Sequence, residues 1–583
     1  MRSAGVLFAM VGAALAGGAA RLAQIQYCRG ADLQERARRQ QTAVLTIPAL
    51  RGDIVDTKGR LLAGSDRRAS IFADPTLLLQ ERDRHYAAYS VASVLGLDPR
   101  ELLRLLNERA DCQFVWVKRR VEDREAATFN ELREARRLYA FGVQHEAART
   151  YPHGRLAAHV LGFVGDPQDG VPRGLAGVEL VCEEYLRGRQ GQRSATVDVR
   201  RRRLRTHVCD YVPPRDGATV VLTIDAYVQE QTELHLRRAV EDFRAEWGTA
   251  VVIDPQSGEI LAMASVPDFD PAQPIPPGTN EDKARERLRN RAIADAFEPG
   301  SVFKPFIAAW ALEERLVRLD EVFQIGGPAR NFGGRTLHDT HAYGALPVHE
   351  IISRSSNIGM ALVGERCGNE RLYRYVRSYG FGEPTGVGLP GEHAGLVRDL
   401  KEWGRYSTHS VPIGQEVGVT ALQIAVAFSV LANDGVLYRP RIVRGVIAPD
   451  GEVIWDNSAP QPVRRVLSAR TVARFREEAL VEVVMSKFGT GKAAQIANYR
   501  VFGKTGTAQV AGRRGYVPGA YVGTFVGGAP ADHPRAVAVV SLYRPSAGKY
   551  YGGTIAAPAV GAILADTLAY MRVPPEVTAV SSE

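Results

Sequence analysis

The chain has 583 residues, of which 45% are hydrophobic and 24% are charged, and its formal net charge is +9. This balance is typical of a globular protein of two or three domains, and the modest positive charge suits an anionic wall or membrane surface without requiring one. The sequence contains no glycine-rich phosphate loop, no metal-ligand cluster and no nucleic-acid module, so it predicts neither a cofactor nor a nucleic-acid partner.

The first predicted element is an apolar helix at the N-terminus. Residues 3–20 carry no charge, and at about 1.5 Å rise per residue this run nearly spans a bilayer core. We favour a membrane anchor, but a cleaved signal peptide ending near Gly18-Ala19-Ala20 and a buried helix of a soluble protein satisfy the same pattern. Residues 21 to about 40 are polar and arginine-rich, and they predict a helix that leaves the membrane.

The next segment combines short strands with turns. Asp56 to Gly59 predicts a tight turn between two strands, which gives the aspartate and the glycine a backbone reason to be there. Three further strings each contain glycine, and we interpret them as structural rather than catalytic: Arg149 to Gly154, Ala158 to Gly162 and Gly174 to Glu179.

A dense run of positive charge, Arg200 to Arg203 with Arg205, precedes the second domain. A solvated hairpin is the simpler interpretation, and contact with anionic lipid or with a partner is the alternative. Tyr211 to Gly217 contains two prolines and a glycine and predicts a linker.

Five cysteines are present: Cys28, Cys112, Cys182, Cys209 and Cys367. An odd number without C-x-x-C spacing gives no disulfide framework, so we expect reduced or buried thiols. A bond from Cys112 to Cys182 or to Cys209 stays open.

The remaining chain predicts an antiparallel sheet with helices packed on it, which is an α+β architecture. Val220 to Asp225 predicts a strand followed by a helix to about residue 246, and Thr249 to Met263 predicts a hairpin around proline and glycine. Three more β-rich runs complete the sheet near the C-terminus: Lys504 to Val510, Gly523 to Pro530 and Ala536 to Leu542.

Ser301-Val302-Phe303-Lys304 is the first string with catalytic chemistry. A serine hydroxyl is a poor nucleophile unless a base takes its proton, and a lysine three residues later on a helix lies on the same face. Burial and a second cation, Lys504, would lower the Lys304 pKa towards the neutral amine. Pro299-Gly300 followed by an apolar run places Ser301 at a helix N-terminus.

Two other strings complete the pattern, namely Ser355-Ser356-Asn357 and Lys504-Thr505-Gly506. The second suits a strand, in which Thr505 and Thr507 share one face and hold a substrate carboxylate. Gly506 would let a ligand lie close against this strand.

Together, in this order, the strings are S-x-x-K, S-x-N and K-T-G, the signature of serine enzymes that penicillin acylates. Arg51 to Ala63 also resembles the R-G-x-I-x-D-x-x-G-x-x-L-A string that opens the pedestal domain of class B penicillin-binding proteins. Further supporting strings are Asn290 to Ala292, Gly414 to Glu416, Thr420 to Gln423 and Ala432 to Gly435. The chain therefore resembles the class B penicillin-binding proteins.

The resemblance implies a penicillin-binding serine transpeptidase fold, preceded by an elongated β-rich pedestal domain and an N-terminal transmembrane helix. It divides the chain into an anchor (1–25), a pedestal or dimerisation-type domain (26–215), a transpeptidase domain (216–570) and a C-terminal tail (571–583). It also implies a protein of the cytoplasmic membrane with a single span, whose catalytic domain lies outside the cytoplasm.

The resemblance further implies how each residue acts. Ser301 attacks the penultimate D-Ala carbonyl of a peptidoglycan stem pentapeptide, and Lys304 is the base. Ser355 and Asn357 relay protons and hold the substrate amide, Lys504 sets the local field, and Thr505 and Thr507 bind the terminal carboxylate beside Gly506. Backbone N–H groups of Ser301 and Thr507 form the oxyanion hole, and β-lactams acylate the same serine.

Other classes share parts of this signature. A β-lactamase has no need of about 200 residues before the catalytic domain, a receptor would carry signalling machinery, and an inactive scaffold would have lost the serine or a lysine. A D,D-carboxypeptidase, in which water replaces the acceptor amine, stays open.

The resemblance also bears on the cellular role. No polymerase domain is found, so it implies a membrane-embedded glycan polymerase as partner, together with other divisome proteins. Asn357 favours septal over side-wall synthesis, because division-type relatives usually carry S-x-N and elongation-type relatives S-x-D.

Overall fold

The computed structural model describes residues 2–33, 42–78, 81–165, 172–197, 203–205, 211–512 and 515–576. The chain forms two compact units, each assembled from several segments. The first unit contains Met1–Arg51, Arg67–Ala148 and Gly188–Gly217; the second contains Gly52–Asp66, Arg149–Arg187 and Ala218–Glu583.

The helices alternate with strands along most of the chain. The α-helices are α1 (Arg2–Cys28), α2 (Glu81–Leu95), α3 (Pro99–Glu108), α4 (Asp123–Ala135), α5 (Ala158–Leu161), α6 (Gly177–Val181), α7 (Glu183–Leu186), α8 (Ala226–Asp242), α9 (Glu281–Leu288), α10 (Arg291–Ala294), α11 (Lys304–Glu313), α12 (Val348–Ser353), α13 (Asn357–Ser378), α14 (Ser407–Ser410), α15 (Ala421–Val430), α16 (Ala469–Phe475), α17 (Val481–Met485), α18 (Gly552–Ile555) and α19 (Ala557–Tyr570).

The strands are β1 (Thr42–Ile47), β2 (Ile54–Val55), β3 (Leu61–Ala73), β4 (Val115–Val121), β5 (Phe141–Thr150), β6 (Val164–Gly165), β7 (Arg173–Gly174), β8 (Gly191–Val197), β9 (Arg203–Arg205), β10 (Tyr211–Val212), β11 (Thr219–Leu222), β12 (Trp247–Ile253), β13 (Ile260–Val266), β14 (Val322–Phe332), β15 (Arg335–Pro347), β16 (Leu396–Val397), β17 (Val417–Gly418), β18 (Val436–Tyr438), β19 (Val443–Ile447), β20 (Val453–Asp456), β21 (Pro462–Arg465), β22 (Phe502–Gly512), β23 (Gly515–Ala529) and β24 (Ala536–Tyr543).

The N-terminal helix α1 extends further than the uncharged run that predicted it. Its segment Gly5–Cys28 is long and apolar enough to cross a membrane by length and composition, and its side chains are exposed in the described chain. The expected continuation to about residue 40 is seen as helical backbone as far as Leu33, and the rest lies outside the described residues.

The first unit has its own apolar core, in which α2, α3 and α4 contribute Val91, Leu106 and Phe129. Helix α3 shows why these helices start where they do. Asp98 accepts a hydrogen bond from the N–H of Arg100, and Pro99 occupies the first turn, where its missing N–H costs nothing.

Of the arginine run, Arg203 and Arg205 lie on β9, which pairs antiparallel with β8. Arg200 to Arg202 lie outside the described residues, so the choice between a solvated hairpin and a contact with lipid or a partner stays a prediction. The predicted linker at residues 211–217 begins as a strand, since β10 also pairs with β8.

The thiols follow the expectation where they are described. Cys28, Cys112 and Cys367 are free, so Cys112 is not bonded to Cys182. Cys209 lies outside the described residues.

The second unit contains a five-stranded antiparallel sheet in the order β13-β12-β24-β23-β22. Helices α8 and α19 pack against this sheet, and α15, whose ten residues are all buried, packs on β12 and β24. The predicted hairpin at 249–263 and the predicted sheet of K-T-G with the two C-terminal strands are confirmed, as is the α+β class.

The predicted turn at residues 56–59 is also confirmed. Gly59 has a φ of 80°, and its N–H donates to Asp56 O at 3.0 Å. The buried Asp56 carboxylate accepts hydrogen bonds from the N–H groups of Lys58, Arg60 and Ala226, so it fixes the turn and the start of α8 together.

A buried ion pair explains the strings that were interpreted as structural. Arg149 Nε donates to Glu179 Oε1 at 2.6 Å, and both side chains are almost fully buried. The same guanidinium donates to Gly52 O at 2.7 Å and so links two segments of the second unit, Gly52–Asp66 and Arg149–Arg187. Breaking such a pair is costly because the remaining charge stays out of water.

We therefore expect Glu179→Gln to lower the free energy of unfolding by about 3–5 kcal/mol, since the Arg149 guanidinium keeps its burial and loses its counter-charge. Thermal unfolding of the purified protein measures this. Glu281→Gln is the matched control, because Glu281 pairs with Arg285 in the open and should contribute less than about 1 kcal/mol. Equal melting temperatures for the two variants would contradict the structural role of the pair.

Candidate active site

Ser301 lies in a 3-10 turn, Gly300–Phe303, that leads directly into α11. The prediction of a helix N-terminus is thus correct for the helical segment as a whole, although the α-helix itself begins only at Lys304. Gly300 has a φ of 55°, and a Cβ at this position would lie 3.0 Å from Thr507 O. The turn that carries Ser301 therefore packs directly on β22.

The Lys304 side chain is fully buried and makes three hydrogen bonds. Its Nζ donates to Ser355 O at 2.5 Å, to Asn357 Oδ1 at 2.9 Å and to Ser355 Oγ at 3.2 Å. Burial lowers the pKa of the Lys304 ammonium group to about 7. A substantial neutral fraction at physiological pH gives the amine the capacity to accept a proton.

Lys504, on β22, approaches Ser355 and is also fully buried. Its Nζ donates to Ser355 Oγ at 3.0 Å and to Thr505 O at 3.1 Å. Burial and then the charge of Lys304 lower the pKa of Lys504. The two lysines are thus coupled in the opposite sense from the one predicted: the charge of Lys304 lowers the pKa of Lys504, whereas burial lowers the pKa of Lys304.

Ser355 occupies the break between α12 and α13. Its φ is 62°, which is the left-handed region that a non-glycine residue rarely adopts, and its N–H donates to Ile352 O at 3.2 Å. This conformation ends α12 and turns the hydroxyl towards the two lysines. Backbone strain of this kind is concentrated at functional sites.

Asp339 on β15 is a residue that the sequence analysis missed. Its carboxylate accepts hydrogen bonds from Ser356 Oγ and from the N–H of Asn357, both at 2.5 Å, and from the N–H of Ile358 at 3.1 Å. No local pattern marks Asp339 in the sequence, because its partners follow it by 17 to 19 residues, after the rest of β15 and helix α12.

The two threonines of the K-T-G strand both line the cleft. Thr505 Oγ1 is 2.8 Å from Thr490 Oγ1, and Thr507 Oγ1 accepts a hydrogen bond from the N–H of Gly552 at 3.1 Å. Their predicted placement on one side of β22 agrees with this arrangement. Thr490 adds a third hydroxyl that the sequence analysis did not identify.

Gly506 has a packing role that was not expected. A Cβ there would lie 2.6 Å from Val302 Cγ2 and 2.8 Å from Pro299 O. The glycine therefore allows the Ser301 turn to pack against the strand; that it also allows a ligand to lie close stays a prediction.

One open cleft of about 860 Å³ lies within the second unit, and Lys304, Lys504 and Asp339 are not part of its lining. The site residues that line it are Ser301, Ser355, Asn357, Thr490, Thr505, Gly506 and Thr507. Three tyrosines form part of its wall: the rings of Tyr521 and Tyr550 stack with centroids 4.1 Å apart, and Tyr551 lies 4.5 Å from Tyr550. The tyrosines were also missed, since aromatic residues carry no motif on their own. Among the described residues, no group of three His, Cys, Asp or Glu side chains is arranged to hold a metal ion.

The cleft brings together Ser301, the Ser355 hydroxyl with its two buried lysines, and a strand that carries two threonines. This combination defines a serine acyltransferase site of the type that penicillin acylates. Comparison with known proteins agrees with this class. The model of the penicillin binding protein transpeptidase domain matches residues 248–565, and that of the penicillin-binding protein dimerisation domain matches residues 46–222. The chain belongs to the class B penicillin-binding proteins, as its motifs predicted.

Relatives match over most of their length. The chain is 32% identical to stage V sporulation protein D of Bacillus subtilis, covering 95% of this chain and 83% of that protein. It is 31% identical to the peptidoglycan D,D-transpeptidase FtsI of Escherichia coli, covering 91% and 86%. Among solved structures, penicillin-binding protein 3 of Mycobacterium tuberculosis with aztreonam gives a TM-score of 0.68 at 30% identity, covering 91% of this chain and 98% of that one.

The lowered pKa of Lys304 predicts how acylation depends on pH. The neutral amine is the form that accepts a proton, so the rate of acylation by a fluorescent penicillin should rise with pH through about 7 and level off above it. Rates measured from pH 5 to pH 9 test this expectation. A rate that falls as pH rises through 7 would mean that the ammonium form is the active one.

Proposed function

We propose that this chain is a peptidoglycan D,D-transpeptidase that crosslinks stem peptides through an acyl-enzyme on Ser301, and that β-lactams acylate and inhibit it. The observation that carries this proposal is the buried Lys304 amine, which has a pKa of about 7 and is hydrogen-bonded to Ser355 and Asn357, two residues that line the same cleft as Ser301. A base with a pKa near the working pH is the most effective partner for a serine nucleophile. The similarity to the peptidoglycan D,D-transpeptidase FtsI and to a penicillin-binding protein in complex with aztreonam supports the same activity.

In the first half-reaction, Lys304 Nζ accepts the proton of Ser301 Oγ as this oxygen bonds to the penultimate D-Ala carbonyl carbon. Negative charge collects on the carbonyl oxygen, where the N–H groups of Ser301 and Thr507 stabilise it. The C–N bond then breaks, and the leaving D-Ala nitrogen receives the proton through the Ser355 hydroxyl, which lies within hydrogen-bonding distance of Lys304 and Lys504 Nζ.

The second half-reaction runs these steps in reverse with a different nitrogen. An amine of a neighbouring stem peptide attacks the acyl carbon, gives up a proton to the same relay, and the bond to Ser301 Oγ breaks as this oxygen regains its proton. If water replaced the amine, the product would be a shortened stem peptide, as a carboxypeptidase makes.

Binding of the substrate carboxylate belongs to the K-T-G strand. Thr505 and Thr507 present hydroxyls to the cleft, and Lys504 adds its field below them. Asn357 would hold the amide of the pentapeptide, because its side chain both donates and accepts.

We further propose that residues 1–25 are the membrane anchor of a single-span protein of the cytoplasmic membrane, followed by a pedestal (26–215), the transpeptidase domain (216–570) outside the cytoplasm, and a short tail (571–583). The exposed apolar length of α1 supports the anchor. The Asn357 amide supports a septal role, in which a membrane-embedded glycan polymerase and divisome proteins are the partners.

Covalent labelling tests the assignment of the nucleophile and the base. Ser301→Ala should abolish the denaturation-resistant band formed with fluorescent penicillin, and Lys304→Arg should reduce labelling at least about a hundredfold, because arginine does not lose its proton. Ser93→Ala and Lys401→Arg, both at exposed positions, are the matched controls and should label normally. Undiminished labelling of the Ser301→Ala variant would refute the assignment of Ser301 as the nucleophile. Products from donor and acceptor peptides then distinguish crosslinking from carboxypeptidase activity.

A fluorescent protein that matures outside the cytoplasm, fused after Glu583, tests topology and role together. We expect fluorescence at the division site, and we expect depletion of the protein to block septation before cell shape changes. Fluorescence obtained only with a cytoplasm-restricted reporter would refute the topology. Loss of shape in cells that still divide would favour side-wall synthesis.

A further inference from the structure

Asp339 connects two elements of the active site that the catalytic motifs do not connect by themselves. Its strand, β15, lies beside the start of α13, where the first N–H groups of the helix have no partner within the helix. The Asp339 carboxylate takes two of these N–H groups, from Asn357 and Ile358, and also the hydroxyl of Ser356.

We propose that Asp339 is a positioning residue, which fixes the orientation of the S-x-N segment and, through its negative charge, sets the pH range in which Lys304 acts as the base. This inference rests on the proposed function, because it assigns a residue that controls the base of that reaction.

The orientation follows from the contacts of Asn357. The backbone N–H of Asn357 donates to the Asp339 carboxylate. The Nδ2 group of Asn357 donates to His338 O, one residue earlier on β15, at 2.9 Å. Two adjacent residues of one strand therefore hold both the main chain and the amide of Asn357. The amide oxygen is left facing Lys304 Nζ at 2.9 Å.

The same contacts support the strained serine. Ser356 is the N-cap of α13, and its Oγ accepts a hydrogen bond from the N–H of Gly359 at 2.9 Å while donating to Asp339. Ser355, with its φ of 62°, lies between this anchored cap and the end of α12. Anchoring the residue that follows Ser355 stabilises the turn that points its hydroxyl at the two lysines.

The charge of Asp339 acts on Lys304 against the effect of burial. Burial lowers the pKa of Lys304, and the nearby carboxylate of Asp339 raises it. The other titratable group beside Lys304 is Lys504, whose own pKa is lowered by burial and then by the charge of Lys304. Glu298, His341 and Arg354 line the cleft. Removing the Asp339 charge would thus lower the pKa of Lys304 further and make it a weaker base.

The test compares the acylation of the full-length protein by fluorescent penicillin between pH 4.5 and pH 9 in matched variants. Asp339→Asn keeps the size of the side chain and removes its charge, so the acidic limb of the rate profile should move to lower pH by about one unit, with a lower maximal rate. Asp339→Glu keeps the charge and displaces it, so the maximal rate should fall while the limb stays in place. Asp320→Asn, an exposed aspartate paired with Arg318, should change neither.

Ser356→Ala separates geometry from charge, because it removes one partner of the carboxylate and leaves Asp339 charged. It should lower the maximal rate without moving the limb, and it also serves if Asp339→Asn proves too unstable to assay. The proposal is overturned if Asp339→Asn folds and its limb stays at the wild-type position, or if Asp339→Glu or Ser356→Ala moves the limb. Labelling of the wild-type protein at Ser301 is measured in the same assay. If the wild-type protein is labelled there, any of these contrary results rejects the role of Asp339 but not the proposed acyl-enzyme on Ser301.

Discussion

Two lysines are buried around a single serine hydroxyl, and the rest of the active site is arranged to make this possible. Lys304 Nζ and Lys504 Nζ lie 3.2 and 3.0 Å from Ser355 Oγ, and burial lowers the pKa of both. Two ammonium groups this close repel each other strongly in a poorly solvated site, so the site disfavours holding both charges at once. The protein thereby holds an amine that can exchange a proton in neutral solution.

The fold supplies the rigidity that such a site requires. Lys504 extends from a strand that is paired along its length with β23, and Lys304 begins a helix whose apolar residues are buried in the core. The turn before this helix packs on the strand so tightly that Gly506 has no room for a side chain. Both lysines are thus carried by regular elements that are packed against each other, and neither depends on a mobile loop.

How much could be predicted from the sequence depended on whether the signal was local. S-x-x-K and K-T-G carry their spacing within one helical segment and one strand, so Ser301, Lys304, Lys504 and the threonines could be assigned to one site, and the alternating β-rich runs predicted the antiparallel sheet. Asp339 and Thr490 could not be found, because each makes its contact with a residue distant in the chain. The packing of the Ser301 turn on Gly506 could not be found for the same reason, since a sequence indicates that a close approach occurs but not what approaches.

The backbone of Ser355 has a consequence for how this protein can change. At a φ of 62°, glycine would relieve strain that serine must bear, a gain of about 1 kcal/mol or more in stability. The same replacement would delete the hydroxyl oxygen that both lysines contact. Selection for stability alone would therefore favour glycine at this position, and the protein would lose catalytic activity. Stability and activity thus make opposite demands on residue 355.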